Sequence, residues 1–362
     1  MIAVIADDLT GAAELGGIGI RHGLKTEIRL TVGDSTEADL LVIAADSRSK
    51  DEAAAIEEMT RITRDLRRLK ADFIYKKTDS VLRGHVIAEL KVHLQILDCP
   101  LALLIPANPS LGRTIRDGHY YLNGEPIHHS SFSIDPEFPI HDSDLQSMLH
   151  TKARPLPIRK PTEQLPVRGI VIGEAQSEDE LHQWAKKIPP KALLAGAAGF
   201  FSSILDLRYP INRPDIPPLK NPVLYISGST FEPNRNLIRE QAANGGPVIW
   251  LWSPGWQDSI LTNLRDRRKA IVTMQPSGDP ALELRTRMAN DLSPILSQAK
   301  PAELIIEGGS TAYAILQQMG WRQFIPEQEF AQGVVRMSVP DAPGLHVTVK
   351  PGSYAWPPLI RY

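Results

Sequence analysis

Four short apolar runs in the front half of the chain each end in side chains that bind or move charge. IAVIA delivers Asp7 and Asp8, and LLVIAADSRS delivers Asp46, Ser47 and Arg48. FIYKKTDSVLRG carries Lys77, Asp79 and Arg83, and LLIPANPSLGRT carries Asn108 and Arg113. Arginine grips a carboxylate or phosphate with two parallel hydrogen bonds, while aspartate accepts from hydroxyls. That mixture suits a small polyhydroxylated acid. Each cluster alone has a plainer explanation. Asp8 or Thr10 caps the following helix with Asp7 solvated, and KKTDSVLRG is a capped turn with surface charges. Four such clusters in register weigh towards a polar substrate site.

The back half offers glycine turns instead. ELIIEGGSTAYAIL runs from a strand through Gly308, Gly309, Ser310 and Thr311 into a helix. VLYISGSTFEPNRNLI repeats the pattern with Ser227, Gly228 and Ser229, and KPGSYAWPP adds Gly352. Glycine lets a backbone approach a ligand closely, and free N–H groups at a helix start attract phosphate. A nucleotide-phosphate site is therefore expected at these turns. Neither a Walker sequence nor a dinucleotide fingerprint is present, so neither is claimed. Aligning Asp8 and Thr10 with the D-x-D-x-T motif of haloacid-dehalogenase phosphatases puts Ala6 where the nucleophile belongs, and that reading fails. The histidines lack metal-ligand spacing, so no protein-held metal is expected.

These residues must be positioned by elements, and the pattern of the elements is clear. In the first half, strand-like runs of four to seven apolar residues alternate with amphipathic helices such as AAAIEEMTRITRDLRRL. This predicts an α/β fold with a largely parallel sheet flanked by helices, whose strand ends share one edge. Residues 119–168, rich in Pro, Ser and His, read as excursions from that sheet. In YPINRPDIPPLKNP the prolines crowd too closely for a helix or central strand. A boundary is placed there, at 209–221. The alternation then restarts and ends in two closing strands. The expected architecture is two α/β domains in tandem, 1–208 and 222–362, with a ligand cleft between them.

Composition narrows the function classes. The 362 residues suffice for two cores, and the formal charge of −2 carries no nucleic-acid signature. A single cysteine, Cys99, favours a reducing compartment, and no run is long enough to span a membrane. A soluble, cytoplasmic protein with no nucleic-acid or membrane partner is expected; homo-oligomerisation is left open.

Taken together, ADDLTGA, ADSRS, YKKTDSVLRG and PANPSLGRTIRDGHYYLNG resemble the four-carbon acid sugar kinase family, and the likeness runs on through IVIGEAQSEDELHQWA, LLAGAAGF, VLYISGS and IIEGGST. The resemblance implies an enzyme that uses ATP, with Mg²⁺, to phosphorylate the terminal hydroxyl of a small sugar acid. It assigns residues 1–208 to the sugar acid and 222–362 to the nucleotide. Asp7, Asp46, Arg48, Lys77, Asp79, Arg83 and Asn108 would bind the acid, with Asp8 as proton acceptor and Arg83 offsetting charge. Ser227, Gly228, Ser229, Gly308 to Thr311 and Gly352 would hold the nucleotide. This chain departs from the family pattern at Ser310, where Glu is usual, and at Gly352-Ser353-Tyr354-Ala355, where Gly-Asn-Phe-Gly is usual. His85 also stands where Asn is common. The alternative is a non-catalytic sugar-acid binding protein or sensor. An NAD-dependent oxidoreductase would need a glycine fingerprint that is missing.

Overall fold

The computed structural model describes residues 1–135, 138–212, 217–229 and 231–361. Residues 213–216, inside the linker expected at 209–221, lie outside the described residues. In chain order the front half contains β1 (Ile2–Ala6), α1 (Leu9–Arg21), β2 (Thr26–Arg29), β3 (Leu40–Ala44), α2 (Glu52–Arg68), β4 (Phe73–Lys77), α3 (Val86–Leu97) and β5 (Leu101–Ile105). There follow β6 (Arg113–Arg116), β7 (His119–Leu122), β8 (Glu125–Pro126), α4 (Leu145–Met148), β9 (Ile158–Arg159), β10 (Gly169–Gly173), α5 (Glu178–Lys186), β11 (Leu193–Gly196) and α6 (Ala198–Asp206). The back half contains β12 (Val223–Ser227), α7 (Glu232–Ala243), β13 (Val248–Trp250), α8 (Trp256–Asp266), β14 (Lys269–Thr273), α9 (Ala281–Ala299), β15 (Glu303–Glu307) and α10 (Gly309–Gln318). It closes with β16 (Gln323–Ala331), β17 (Val334–Ser338) and β18 (His346–Lys350).

By contacts the chain forms two compact units. The first is Met1–Asp7, His22–Lys25 and Thr31–Asn212; the second is Asp8–Arg21, Thr26–Leu30 and Arg213–Tyr362. A single cut near residue 209 would leave α1 and β2 with the front half, whereas by contacts both go with the back half.

The first unit holds a parallel sheet in the order β3-β1-β4-β11-β5-β10-β9. Every residue of β1 is buried, as expected for a strand covered on both faces. Ala3, Ile5, Leu41 and Ile43 pack on Met59, Ile62 and Leu66 of α2, whose spacing makes one helix face. Asp51 caps that helix by accepting from Ala54 N at 2.8 Å. Strand order reverses around β1, with β3 on one side and β4 on the other. Open α/β sheets bind ligands at such a reversal, outside the carboxyl ends of the strands. The segment after β5 leaves the sheet as a three-stranded antiparallel ribbon, β6-β7-β8.

The second unit is ordered β13-β14-β12-β15-β18-β17-β16-β2. It is parallel from β13 to β18 and antiparallel beyond. Three strands close the chain rather than two. β16 alternates in burial along its length, the pattern of an antiparallel strand with one face turned outward, so its polar residues hid it from a search for apolar runs. α1 packs against β16 and β17. Its glycine-rich sequence has a steric reason there: a Cβ on Gly17 would fall 2.8 Å from Cγ2 of Val335. Among the described residues, no helix is long and apolar enough to cross a membrane.

Candidate functional site

In the first unit the charged side chains past β1, β3 and β4 meet. Asp79 is the hub. Arg83 grips it with two parallel bonds, Nε to Oδ2 at 2.8 Å and Nη2 to Oδ1 at 2.9 Å, while Arg48 Nη1 reaches Oδ1 at 2.9 Å. Arg48 Nη1 also lies 3.7 Å from Asp7 Oδ2, and its backbone N–H donates to Asp7 O at 3.4 Å. The remaining side of Arg83 donates from Nη1 to Asp135 Oδ2 at 2.7 Å. Lys77 Nζ turns to Thr78 O at 2.9 Å, close enough to Asp79 for its charge to be felt there.

The backbone is bent to make this possible. Leu82, a buried non-glycine residue, sits at φ 64°, in the left-handed region that costs an L-residue about 1–2 kcal/mol. This turn lets Arg83 N donate to Asp79 Oδ2 at 3.1 Å, so backbone and side chain of one residue hold the same carboxylate. Burial would raise the pKa of Asp79. The charge and hydrogen bonds of Arg83, followed by the charges of Arg48 and Lys77, outweigh it and keep the carboxyl well below the usual carboxylate range. Burial likewise works against the Arg83 cation, and Asp79 more than restores it.

Arg113 and a set of neutral groups complete the rim. Arg113 Nη1 donates to Ser80 Oγ, and Tyr120 Oη donates to Ser80 O at 2.6 Å. Burial pushes the Tyr120 phenol up, further from ionisation. Asn108 accepts from Ser110 Oγ at 3.0 Å. Ser47 Oγ, Thr78 Oγ1 and Asn108 Nδ2, all just past strand ends, are buried with no hydrogen-bond partner among the described residues. Buried polar atoms of this kind are rare and each calls for an explanation; three at one sheet edge fit a place where ligand hydroxyls bind.

Asp8 belongs to the second unit. Its Oδ1 accepts from Gly11 N at 2.7 Å and its Oδ2 from Thr10 Oγ1 at 2.6 Å, the geometry of an N-cap on α1. The same carboxylate is a neighbour of the glycine turn before α10: a Cβ on Gly309 would stand 3.1 Å from Asp8 Oδ2.

The second unit's turns are tied by one buried carboxylate. Glu307, the last residue of β15, accepts from Ser227 Oγ at 2.6 Å, from Lys350 Nζ at 2.8 Å and from Asn234 Nδ2. Asn234 Nδ2 also donates to Gly352 O at 2.7 Å, and Ser229 Oγ reaches the same oxygen at 3.4 Å. Gly228 N donates to Glu307 O at 3.1 Å and Gly308 N to Lys350 O at 2.9 Å. Gly308 caps α10 at φ 104°, a conformation open to glycine. A Cβ on Gly228 would collide with Thr311 Oγ1 at 2.1 Å. The turns at 228, 308 and 352 are thus locked together, with the N-terminal N–H groups of α10 beside them. Burial lowers the pKa of Lys350, and the charge of Glu307 resists that shift.

Among the residues singled out in sequence, Asp7, Arg48, Asp79 and Arg83 form one ion-pair cluster with Lys77 at its edge. Asn108 joins through the Arg113–Ser80 bond. Ser227, Gly228, Ser229, Gly308 to Thr311 and Gly352 gather at the locked turns. Asp46 is half-buried, two residues past the end of β3. Sequence reading missed Thr78, Ser80, Asp135, Asn234, Glu307 and Lys350. Two of them had a readable signal: Glu307 and Lys350 are charged residues ending the buried strands ELIIE and HVTVK, beside a glycine turn.

Comparison with known proteins gives this geometry a lineage. A D-threonate kinase of Salmonella typhimurium is 28% identical, over 67% of this chain and 61% of its own length. A 3-oxo-tetronate kinase of Pseudomonas savastanoi pv. phaseolicola is 23% identical over 98% of this chain and 94% of its own, and a D-threonate kinase of Cupriavidus necator is 27% identical over 97% and 94%. The chain spans less than two thirds of the first of these relatives. A solved Salmonella typhimurium protein has the same fold, with a TM-score of 0.78 at 18% identity over 99% of this chain and 97% of that one. A Haemophilus influenzae structure matches at 0.71, again with 18% identity, over 99% and 98%. The resemblance drawn from the motifs is thus matched by relatives named as kinases of four-carbon sugar acids. Residues 2–204 match the model of a family described as the sugar-binding N-terminal domain, which is more than half of the chain, and the chain belongs to that family.

Proposed function

We propose that this chain is an ATP-dependent kinase that phosphorylates a terminal hydroxyl of a small sugar acid of about four carbons. The observation that carries this is the strand-end cluster, where Arg48 and Arg83 converge on Asp79 beside unpartnered buried donors and acceptors. In this reading Arg83, Arg48 and Lys77 attract the substrate carboxylate, and Asp7, Asp79 and Asn108 meet its hydroxyls. The α10 turn, with Ser227 to Ser229 and Gly352, receives the nucleotide phosphates through backbone N–H groups.

Phosphoryl transfer relies mainly on positioning and charge stabilisation. The hydroxyl oxygen forms a bond to the γ-phosphorus, the bond from that phosphorus to the β-bridging oxygen breaks, and ADP leaves. Asp8 takes the hydroxyl proton. Its cap bonds fix its position, and it lies beside Gly309 of the phosphate turn. Among the described residues no group of three His, Cys, Asp or Glu could hold a metal alone. Mg²⁺ therefore fits this chain as an ion carried on the nucleotide, held by phosphates and water with one carboxylate at most, where it shields phosphate charge.

The test is ATP consumption by the purified chain against a panel of three- to six-carbon sugar acids, with the product identified by mass. Absence of acid-dependent turnover across the panel overturns the kinase. Ser310 and the Gly352-Ser353-Tyr354-Ala355 turn favour a second reading, a sugar-acid binder without catalysis. Stabilisation by sugar acid but not by Mg-ATP in a thermal-shift assay would select it.

A further inference from the structure

We propose that Arg113 is a further substrate-binding residue, and that with Arg83 it forms a pair of guanidiniums reading the carboxylate of the sugar acid. The inference rests on the sugar-acid reading above and gives a specific role to Arg113, which that reading left without one.

Both guanidiniums face one aromatic ring. The carbon of the Arg83 guanidinium lies 5.4 Å from the centroid of Phe132, and that of Arg113 lies 5.6 Å from it. Cation–π attraction steadies each of them there. They also converge on consecutive residues of the β4 turn: Arg83 on Asp79, Arg113 on Ser80 Oγ.

Arg113 also sits opposite Asn108. The two exchange both backbone hydrogen bonds, Asn108 N to Arg113 O at 2.7 Å and Arg113 N to Asn108 O at 3.1 Å, as an isolated antiparallel bridge. Directly opposed residues of such a pair send their side chains to the same face. The unpartnered, 1%-exposed amide of Asn108 and the guanidinium of Arg113 therefore leave the ribbon together. This combination, a buried amide nitrogen without an acceptor next to two guanidiniums, is built for an oxyanion that also carries hydroxyls. Asp135, on the outer side of Arg83, completes the arrangement by orienting that side chain.

The experiment is isothermal titration of the full chain with D-erythronate and D-threonate, for wild type, Arg113→Gln and Arg113→Lys, alongside KM values for acid and for ATP. Arg113→Gln should weaken acid binding ~10–100-fold, the range for a lost charge-assisted pair. The KM for ATP and the melting temperature should hold. Lysine should rescue in part only, since it lacks the planar fork. If Arg113→Gln fails to fold, Arg113→Lys decides: weaker acid binding at wild-type stability supports the pair. Unchanged acid affinity in a folded variant overturns it, as does a change in ATP KM alone. Wild type that binds the acids without consuming ATP removes the kinase and leaves the pair to the binding data. Wild type that binds neither acid removes both.

Discussion

At the strand ends of the first unit, charged groups hold one another, with Asp7 and Asp79 answered by Arg48 and Arg83. At the turns of the second unit, a single carboxylate, Glu307, collects a hydroxyl, an amide and an ammonium from three segments. The difference follows from what each region must present. A site for a charged, hydroxylated molecule needs side chains at its surface, and these must be kept apart and oriented by opposite charge. A phosphate site made from backbone N–H groups needs only that its turns keep their shape. Its polar side chains therefore sit underneath: Glu307 and Lys350 are fully buried, whereas Arg48 and Arg83 keep an outer face.

Substitutions test this contrast. The largest effect is expected at Asp8, next in sequence to the first region and in contact with the second. Asp8→Asn should cut turnover by ~10²–10⁴-fold, the span for loss of a general base; single-turnover kinetics at normal rate would exclude the role. Next, Glu307→Gln leaves Lys350 buried without its carboxylate and should cost about 3–5 kcal/mol of stability. Denaturant melts would measure it, and the surviving folded enzyme should show a raised KM for ATP with that for the acid unmoved.

A smaller effect concerns acid stability. The folded pKa of Asp79 lies below its unfolded value of about 4. Its contribution is thus fully present above pH 4 and declines as the pH falls from there towards the folded pKa. Asp79→Asn should remove about 2–3 kcal/mol of that pH dependence, seen as a flatter stability curve between roughly pH 5 and pH 2. A curve parallel to wild type would mean that the arginines do not hold this carboxylate as described. The smallest effect is steric: Gly309→Ala presses on Thr10 and Asp8 at 3.0–3.1 Å and should raise the KM for ATP a few-fold. An equal rise in the KM for the acid would erase the contrast between the regions.

Much of this was legible in sequence. Asp7, Arg48, Asp79 and Arg83 could be found because each follows a buried apolar strand, and parallel strands bring their ends to one edge. The glycine turns announced themselves by composition. Asp135 and Phe132 could not be found, since they return to the cluster from an irregular excursion whose path no periodicity records. Asn234 lies on a helix with ordinary polar neighbours, and only its bonds to Glu307 and Gly352 distinguish it. The polar alternation of β16 hid a strand in the same way.

The assignment of α1 to the second unit has a consequence for how the protein is made. A ribosome delivers residues 9–21 early, yet their partners in β16 and β17 are among the last to emerge. At 5–20 residues per second, roughly 15–60 s separate the two events. Through that interval the nascent chain carries a glycine-rich apolar helix without its seat. A fragment ending near residue 208 would keep it in that condition permanently, and one starting there would lack it, so neither half should be expected to behave well when expressed by itself.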